Sequence, residues 1–567
     1  MLDNGGSAPA ISMLPLQRLY QHERQRPRAI FMTQPFADGH VRDFSWAETM
    51  NQSRRLAAHL LAQNWPAGSH IALLGKNSAW WFIADFAIWM AGHVSVPLYH
   101  TLTAPSILQI VEHSECVACF VGRLDDDAVV DEGLPPSMYR MRMPDSRGDG
   151  GAAWDQIQKH TRPLETQPLR DGDDIATIVY TSGTTGAPKG VMHSFATLAL
   201  VSSMSVRMFG ASASDRLISY LPLAHIADRG FCQLASVQTG CRVFFAFGID
   251  TFVADMRRAR PTLFLSVPRL WTKFQQGVNA QLPQAKLQRL LKLPIVSRIV
   301  RKKIRRGLGL DAVRVAFSGA APTPPDLFLW YRALGIELLE VYGMSENFGI
   351  SHVGRLGRYR PDFIGPGWDG VVARIAADSG ELQMKSPGAM RGYYKAPQAT
   401  AEAFTADGYL KTGDRGELSA DGFLKITGRI KEQFKTAKGK YVVPAPIENR
   451  LCTAGRIEAC CVTGGDALPA PLAMVMLGAD EHERCLQDET TRRTTTAWLE
   501  QLLAEVNAEL ERHERLACLV VTPEAWTVAN GLVTPTMKVR RNQIDERYRS
   551  RMPDWCTQSG AVIWATR

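Results

Sequence analysis

Apolar positions along this chain follow two alternating spacings, and the alternation predicts stacked α/β layers. Ile175-Ala-Thr-Ile-Val179 is a β-branched run with the character of a buried strand, and Val191-Met192 resumes it after a polar gap. His70-Ile-Ala-Leu-Leu74, Arg242-Val-Phe-Phe245, Thr262 to Ser266 and Val313 to Phe317 predict further strands. Helical spacing lies between them. Ser45-Trp-Ala-Glu48 predicts a helix running toward Leu61, with a Ser cap and an acid three residues on. Ile107 to Glu115 predicts another. The longest apolar stretch, Trp80 to Leu98, is interrupted by Asp85, His93 and Pro97, so it predicts a buried helix followed by a strand and not a membrane span. Asp125 to Gly151 is polar and aperiodic and predicts a surface connection. Residues 1 to 14 read as a mobile Gly/Ser/Ala/Pro tail.

The polar gap carries the first chemistry. Tyr180-Thr-Ser-Gly-Thr-Thr-Gly-Ala-Pro-Lys-Gly190 brings together four hydroxyls (Thr181, Ser182, Thr184, Thr185), three glycines (Gly183, Gly186, Gly190) and Lys189. Glycines allow backbone N–H groups to approach a ligand, hydroxyls donate hydrogen bonds, and the lysine adds positive charge. The set suits phosphate oxygens. A P-loop is excluded, because Gly190 follows the lysine where that motif needs Ser or Thr. A polar surface turn has the same local composition. Further along, Tyr342-Gly-Met-Ser-Glu346 ends an apolar run. A tyrosine can stack on a base, Ser345 can reach a phosphate, and Glu346 offers the oxygen that magnesium prefers. An exposed acidic turn is its plain alternative.

The Tyr180–Gly190 stretch closely resembles the signature loop of adenylate-forming enzymes, the superfamily of acyl-CoA synthetases, peptide-synthetase adenylation domains and firefly-type luciferases. The resemblance spans about residues 15 to 545, with the nucleotide motifs in family order. It implies that Thr181, Ser182, Gly183, Thr184, Thr185, Gly186 and Lys189 hold phosphates, and that Thr184 and Glu346 serve magnesium. Gly319, Ala320 and Ala321, in Ser318-Gly-Ala-Ala-Pro322, would wall the adenine beside Tyr342, Gly343 and Ser345. Asp414, in what reads as a tight turn after Gly413, and Arg429 would bind the ribose side. Lys431 would mark a hinge, and Gly439 a backbone that pantetheine passes. Lys538, in Leu532-Val-Thr-Pro-Thr-Met-Lys538, would be the lysine of adenylation, acting with Lys189, Glu346 and His225 of Tyr220-Leu-Pro-Leu-Ala-His225. His225 lies among apolar residues, so a core histidine is the competing reading. Ser266-Val-Pro-Arg-Leu-Trp271 and the Lys538 motif are similar to the long-chain synthetase versions. One departure stands out: Phe195 occupies the position where many members carry a histidine.

The resemblance implies an α/β fold, with a large N-terminal domain of layered α/β sheets over residues 15–429 and a small C-terminal α+β lid over 430–567. The net charge of +9 suits anionic ligands, nucleotides or acidic membrane surfaces. No nucleic-acid-binding motif accompanies it. Arg298-Ile-Val-Arg-Lys-Lys-Ile-Arg-Arg306 reads first as a solvated helix face, and otherwise as a contact for a membrane or for coenzyme A phosphates. Ten cysteines lack a disulfide framework, and Cys116-Val-Ala-Cys119 reads as buried strand, so a reducing cytoplasm is expected. A peripheral position at the inner membrane surface and a homodimer are compatible with this.

The expected activity is that of an ATP- and Mg2+-dependent ligase joining a medium- or long-chain fatty acid to coenzyme A through acyl-AMP. The alternatives are loading of an acyl carrier protein, or a coenzyme A ligase for an aryl or short-chain acid.

Overall fold

In a computed structural model of the chain, the residues described are 13–148, 150–182, 188–437, 439–453, 455–465, 467–534, 537–558 and 560–566. They form a mixed α/β protein of two units. The first comprises residues up to Thr323, Leu327–Ala373 and Met384–Leu410; the second comprises Pro324–Asp326, Arg374–Gln383 and the chain from Lys411 onward.

The first unit is organised on an eight-stranded sheet. From one edge its strands are Gly392–Tyr393, Pro188–Ser194, Ile175–Ser182, Val94–Leu98, His70–Leu74, Cys116–Val121, Tyr139–Arg142 and Ala152–Ala153. The last six pair in parallel, and Pro188–Ser194 and Gly392–Tyr393 are antiparallel additions. Helix Ala79–Met90 follows Leu74 and is buried at all twelve positions. That accounts for its unbroken apolar sequence: such a helix has no solvent face to make polar. Among the described residues, no helix is long and apolar enough to cross a membrane. Helix Trp46–Leu61 begins as its sequence predicts, with the Glu48 amide donating to Ser45 Oγ at 3.1 Å. A second sheet runs Leu263–Ser266, Val315–Gly319, Leu338–Tyr342, His352–Val353, the first three parallel.

Two expectations need correction. Asp125 to Gly151 is more than a connection: it holds helix Ala128–Gly133 and strand Tyr139–Arg142, which pairs in parallel with Cys116–Val121. Met138, Met141 and Met143 are buried there. Elements this short do not show a period. Asp414 does not lie in a turn between elements but within strand Leu410–Leu418, opposite Arg429. Gly413 before it has φ +70°, a local kink that reads the same as a turn in the isolated motif. The tail of residues 1 to 14 lies, up to residue 12, outside the described residues.

The second unit has its own core. Strands Ile457–Thr463, Leu472–Leu477, Leu519–Val521 and Val562–Trp564 form a sheet, and helices Pro444–Thr453 and Glu489–Glu509 supply Ile447, Leu451, Leu499 and Leu503 to its apolar cluster.

Candidate functional site

Strands Ile175–Ser182 and Pro188–Ser194 form an antiparallel pair in which Thr181 faces Lys189 and Ser182 faces Pro188. Gly183, Thr184, Thr185 and Gly186 lie outside the described residues. Lys189 is half-buried, and its Nζ stands 4.9 Å from the centre of the Tyr393 ring, an attractive cation–π arrangement. The hydroxyl of Tyr393 donates to Glu346 Oε1 at 2.8 Å. One tyrosine therefore connects the cation of the first motif to the carboxylate of the second. Burial, reinforced by the Glu346 charge, pushes the phenol above its ordinary range, so it stays protonated as a donor. The backbone adds a second tie, as the Met390 amide donates to the Glu346 carbonyl at 2.7 Å.

The Tyr342–Gly349 loop is shaped from within. Asn347 is fully buried, and its Oδ1 accepts from the amides of Met344 at 3.0 Å and Gly349 at 3.1 Å. Gly343 lies against Gly349 so closely that a Cβ would meet the Gly349 Cα at 2.5 Å. His193 is buried on the Lys189 strand, and its Nε2 lies 2.8 Å from the Ser345 carbonyl. Burial lowers the affinity of this ring for a second proton, to a pKa of about 4. It is therefore neutral, with Nε2–H donating to Ser345. Gly319 ends its strand against Val341, while Ala320 and Ala321 are exposed beyond it; Ala320 has φ +68°, a left-handed conformation.

His225 is half-buried and starts a short helix, its Nδ1 accepting the Ala227 amide at 3.1 Å. One turn further on, Arg229 carries a buried charge pair into the core. Its Nη2 lies 2.9 and 2.8 Å from the two Asp85 oxygens, with both side chains fully buried. Arg229 also donates to Thr177 on the strand leading into the phosphate loop (2.7 Å) and to Ser95 (2.8 Å). Such a pair needs further hydrogen bonds to offset desolvation, and Gln233 adds one to Asp85 at 2.8 Å. Beside it Asp228 accepts from Ser219 Oγ at 2.5 Å and Asn77 Nδ2 at 3.1 Å, and burial pushes its carboxyl up to about 7. Phe195, at the departure from the family pattern, is core: it packs edge-on against Trp89 with ring centres 5.5 Å apart.

In the second unit, Asp414 is buried and accepts from Arg429 Nε at 3.0 Å. Lys431 is exposed on the short turn Ile430–Glu432, and Gly439 is exposed with open space around it. Lys538 is exposed and bonded back to Thr534, whose amide donates to the Lys538 carbonyl (2.8 Å) and whose Oγ1 accepts the Lys538 amide (3.1 Å). Arg541, three residues on, ties this stretch to the sheet, with Nη2 2.6 Å from Glu448 Oε1 and Nη1 2.5 Å from the Val462 carbonyl.

The motifs assign no role to Tyr393, Asn347, His193 or the Asp85–Arg229 pair. Tyr393 is far from Lys189 in the chain, and a lone buried histidine or asparagine carries no periodic signal. Only Asp85 left a trace, as an acid breaking an otherwise apolar helix.

The arrangement is that of a nucleotide-handling α/β enzyme. A family model described as AMP-binding enzyme matches residues 19–394, and the chain belongs to that family. Among curated proteins, it is 30% identical to the long-chain-fatty-acid–CoA ligase FadD15 of Mycobacterium bovis, over 94% of this chain and 95% of that one. It is 31% identical to the peroxisomal long chain acyl-CoA synthetase 6 of Arabidopsis thaliana, over 92% and 83%. Among solved structures, the adenylation domain of a Mycobacterium chelonae carboxylate reductase shares the fold with a TM-score of 0.80 at 23% identity, covering 98% of this chain and 93% of that one.

Proposed function

We propose that the protein is an ATP-dependent acyl-CoA synthetase that activates a medium- or long-chain fatty acid as acyl-AMP and transfers it to coenzyme A, releasing pyrophosphate and AMP. The observation that carries this reading is the convergence of Lys189 and Glu346 on Tyr393, a cation and a hard oxygen donor fixed together in a chain of this family. Full-length similarity to proteins named as long-chain ligases supports the acid and the thiol.

The donor set fits magnesium. Glu346 offers a carboxylate oxygen, the hard donor that this ion prefers. That suits an ion held by one carboxylate and substrate phosphates. Glu346, with Thr184, would hold it, and when bound it supplies positive charge to the phosphates. Lys189, Thr181, Ser182 and residues 183–186 after them then hold the phosphate oxygens. Tyr342, Gly343, Ser345 and Gly319 to Ala321 flank the base. Asp414 and Arg429 take the ribose. His225 stands at the acyl carboxylate. In the first half-reaction, a carboxylate oxygen bonds to the α-phosphorus as the bond to pyrophosphate breaks. Lys538 offsets the repulsion between these anions. In the second, the coenzyme A sulfur bonds to the acyl carbon and AMP leaves. The two steps need different neighbours, which calls for a pivot at Lys431 between domains 15–429 and 430–567, bringing Gly439 to the pantetheine.

Lys538→Ala should lower fatty-acid-dependent pyrophosphate exchange by at least about a hundredfold, while thiolysis of supplied acyl-AMP stays within a few-fold of wild type. Equal loss of both steps would contradict the assigned role. A pyrophosphate-release panel over acids of graded length, run with coenzyme A and with an acyl carrier protein, fixes substrate and acceptor.

A further inference from the structure

Residues 256 to 310 hold fourteen Lys and Arg and no Asp or Glu, while the entire chain carries a net charge of only +9. The charge excess of the molecule therefore sits in this one segment. Its last helix, Pro294–Gly307, is two-sided. Ser297 is buried, and Val300 and Ile304 pack on the core of the first unit. The opposite stripe, at helical spacing, is Ile295, Arg298, Ile299, Lys302 and Arg306, with Lys303 at its edge, and all six are exposed.

The face is solvated, as its charge pattern predicts, but solvation does not account for its two isoleucines. Ile295 is 78% and Ile299 63% exposed, and Leu293 just before the helix is 51% exposed. No salt bridge or side-chain hydrogen bond among the described residues engages Arg298, Lys302, Lys303 or Arg306. The segment offers them no carboxylate; the next acid along the chain, Asp311, is bonded to Arg260 at 2.7 Å and also feels the charge of Arg306. Lys286, Arg289 and Lys292, on and after the preceding helix Gln284–Leu291, are also exposed.

We infer that this face docks the protein on an anionic lipid bilayer, the isoleucines entering the boundary between headgroups and acyl chains while the surrounding cations meet lipid phosphates. Charge complementarity names the occupant. A surface of cations with apolar residues set among them matches a charged interface with hydrocarbon beneath it. A nucleic acid would use the cations and leave the isoleucines in water. A compact polyphosphate such as coenzyme A would need cations that converge, and these are spread along about 15 Å of an exposed helix face. Bilayer docking would place the enzyme where a fatty acid partitions; that benefit rests on the proposed substrate, but the docking does not.

The test is sedimentation of the full-length protein with vesicles of phosphatidylcholine alone or with phosphatidylglycerol added, in the absence of fatty acid and nucleotide. Binding is expected only with the anionic vesicles and should weaken as salt rises. Lys302→Gln with Lys303→Gln, and separately Ile295→Ser with Ile299→Ser, should each lower the partition coefficient by about tenfold and leave turnover of a water-soluble short-chain acid unchanged. Equal binding to neutral vesicles, or variants that bind like wild type, would overturn the inference. So would a raised KM for coenzyme A in the lysine variant with unchanged vesicle binding, or a dimer that the isoleucine variant dissolves. Because binding is read without substrate, a wrong acid assignment leaves this outcome intact.

Discussion

Single residues in this protein are held by interactions whose strength depends on protonation. Asp228 lies buried between Ser219 and Asn77, and burial lifts its carboxyl from the ordinary 3.8 to about 7. Between those values the folded chain keeps a proton that the unfolded chain has released. Folding thus binds a proton, and stability falls as pH rises through the window. The difference in unfolding free energy between wild type and Asp228→Asn should drop by about 1.4 kcal/mol per pH unit between pH 5 and 7 and level off above. Denaturant titrations across pH 5 to 8 measure it, and a flat difference would show that the carboxyl is ionised in the fold. None of this was visible in the chain, where Asp228 looks like one more acid beside an arginine.

At the scale of elements, steric fit matters more than charge. Gly343 and Gly349 touch backbone to backbone, so a methyl at 343 would have to displace main chain and not a flexible side chain. Gly343→Ala should cost about 1–3 kcal/mol, read as a lowered thermal midpoint, and should weaken ATP binding by moving Glu346. An unchanged midpoint would mean that the loop has slack. Long elements were legible in advance: the β-branched run before the phosphate loop, the capped helix to Leu61 and the strand His70–Leu74 appear where their patterns place them. Tyr139–Arg142 was not, since so short a strand shows no period and its partner is fixed only by tertiary pairing. For the site, motifs located Lys189 and Glu346 but could not supply Tyr393, whose place between them is a property of the folded sheet.

For the whole molecule, the two units carry separate apolar clusters, the first unit's including one built around helix Ala79–Met90 and the second unit's including one built around strands Leu472–Leu477 and Leu519–Val521. Scanning calorimetry should resolve two transitions. Leu499→Ala, a buried position in the second cluster, should lower only one of them, by the equivalent of about 2–5 kcal/mol. A single transition shifted as a whole would show that the units unfold together. The fourteen cations between residues 256 and 310 have one more consequence. The rest of the chain has fewer Lys and Arg than Asp and Glu, so an isoelectric point near 9.0 describes a local deposit of charge on an otherwise mildly acidic protein. A cation-exchange column would therefore hold the molecule chiefly through that segment.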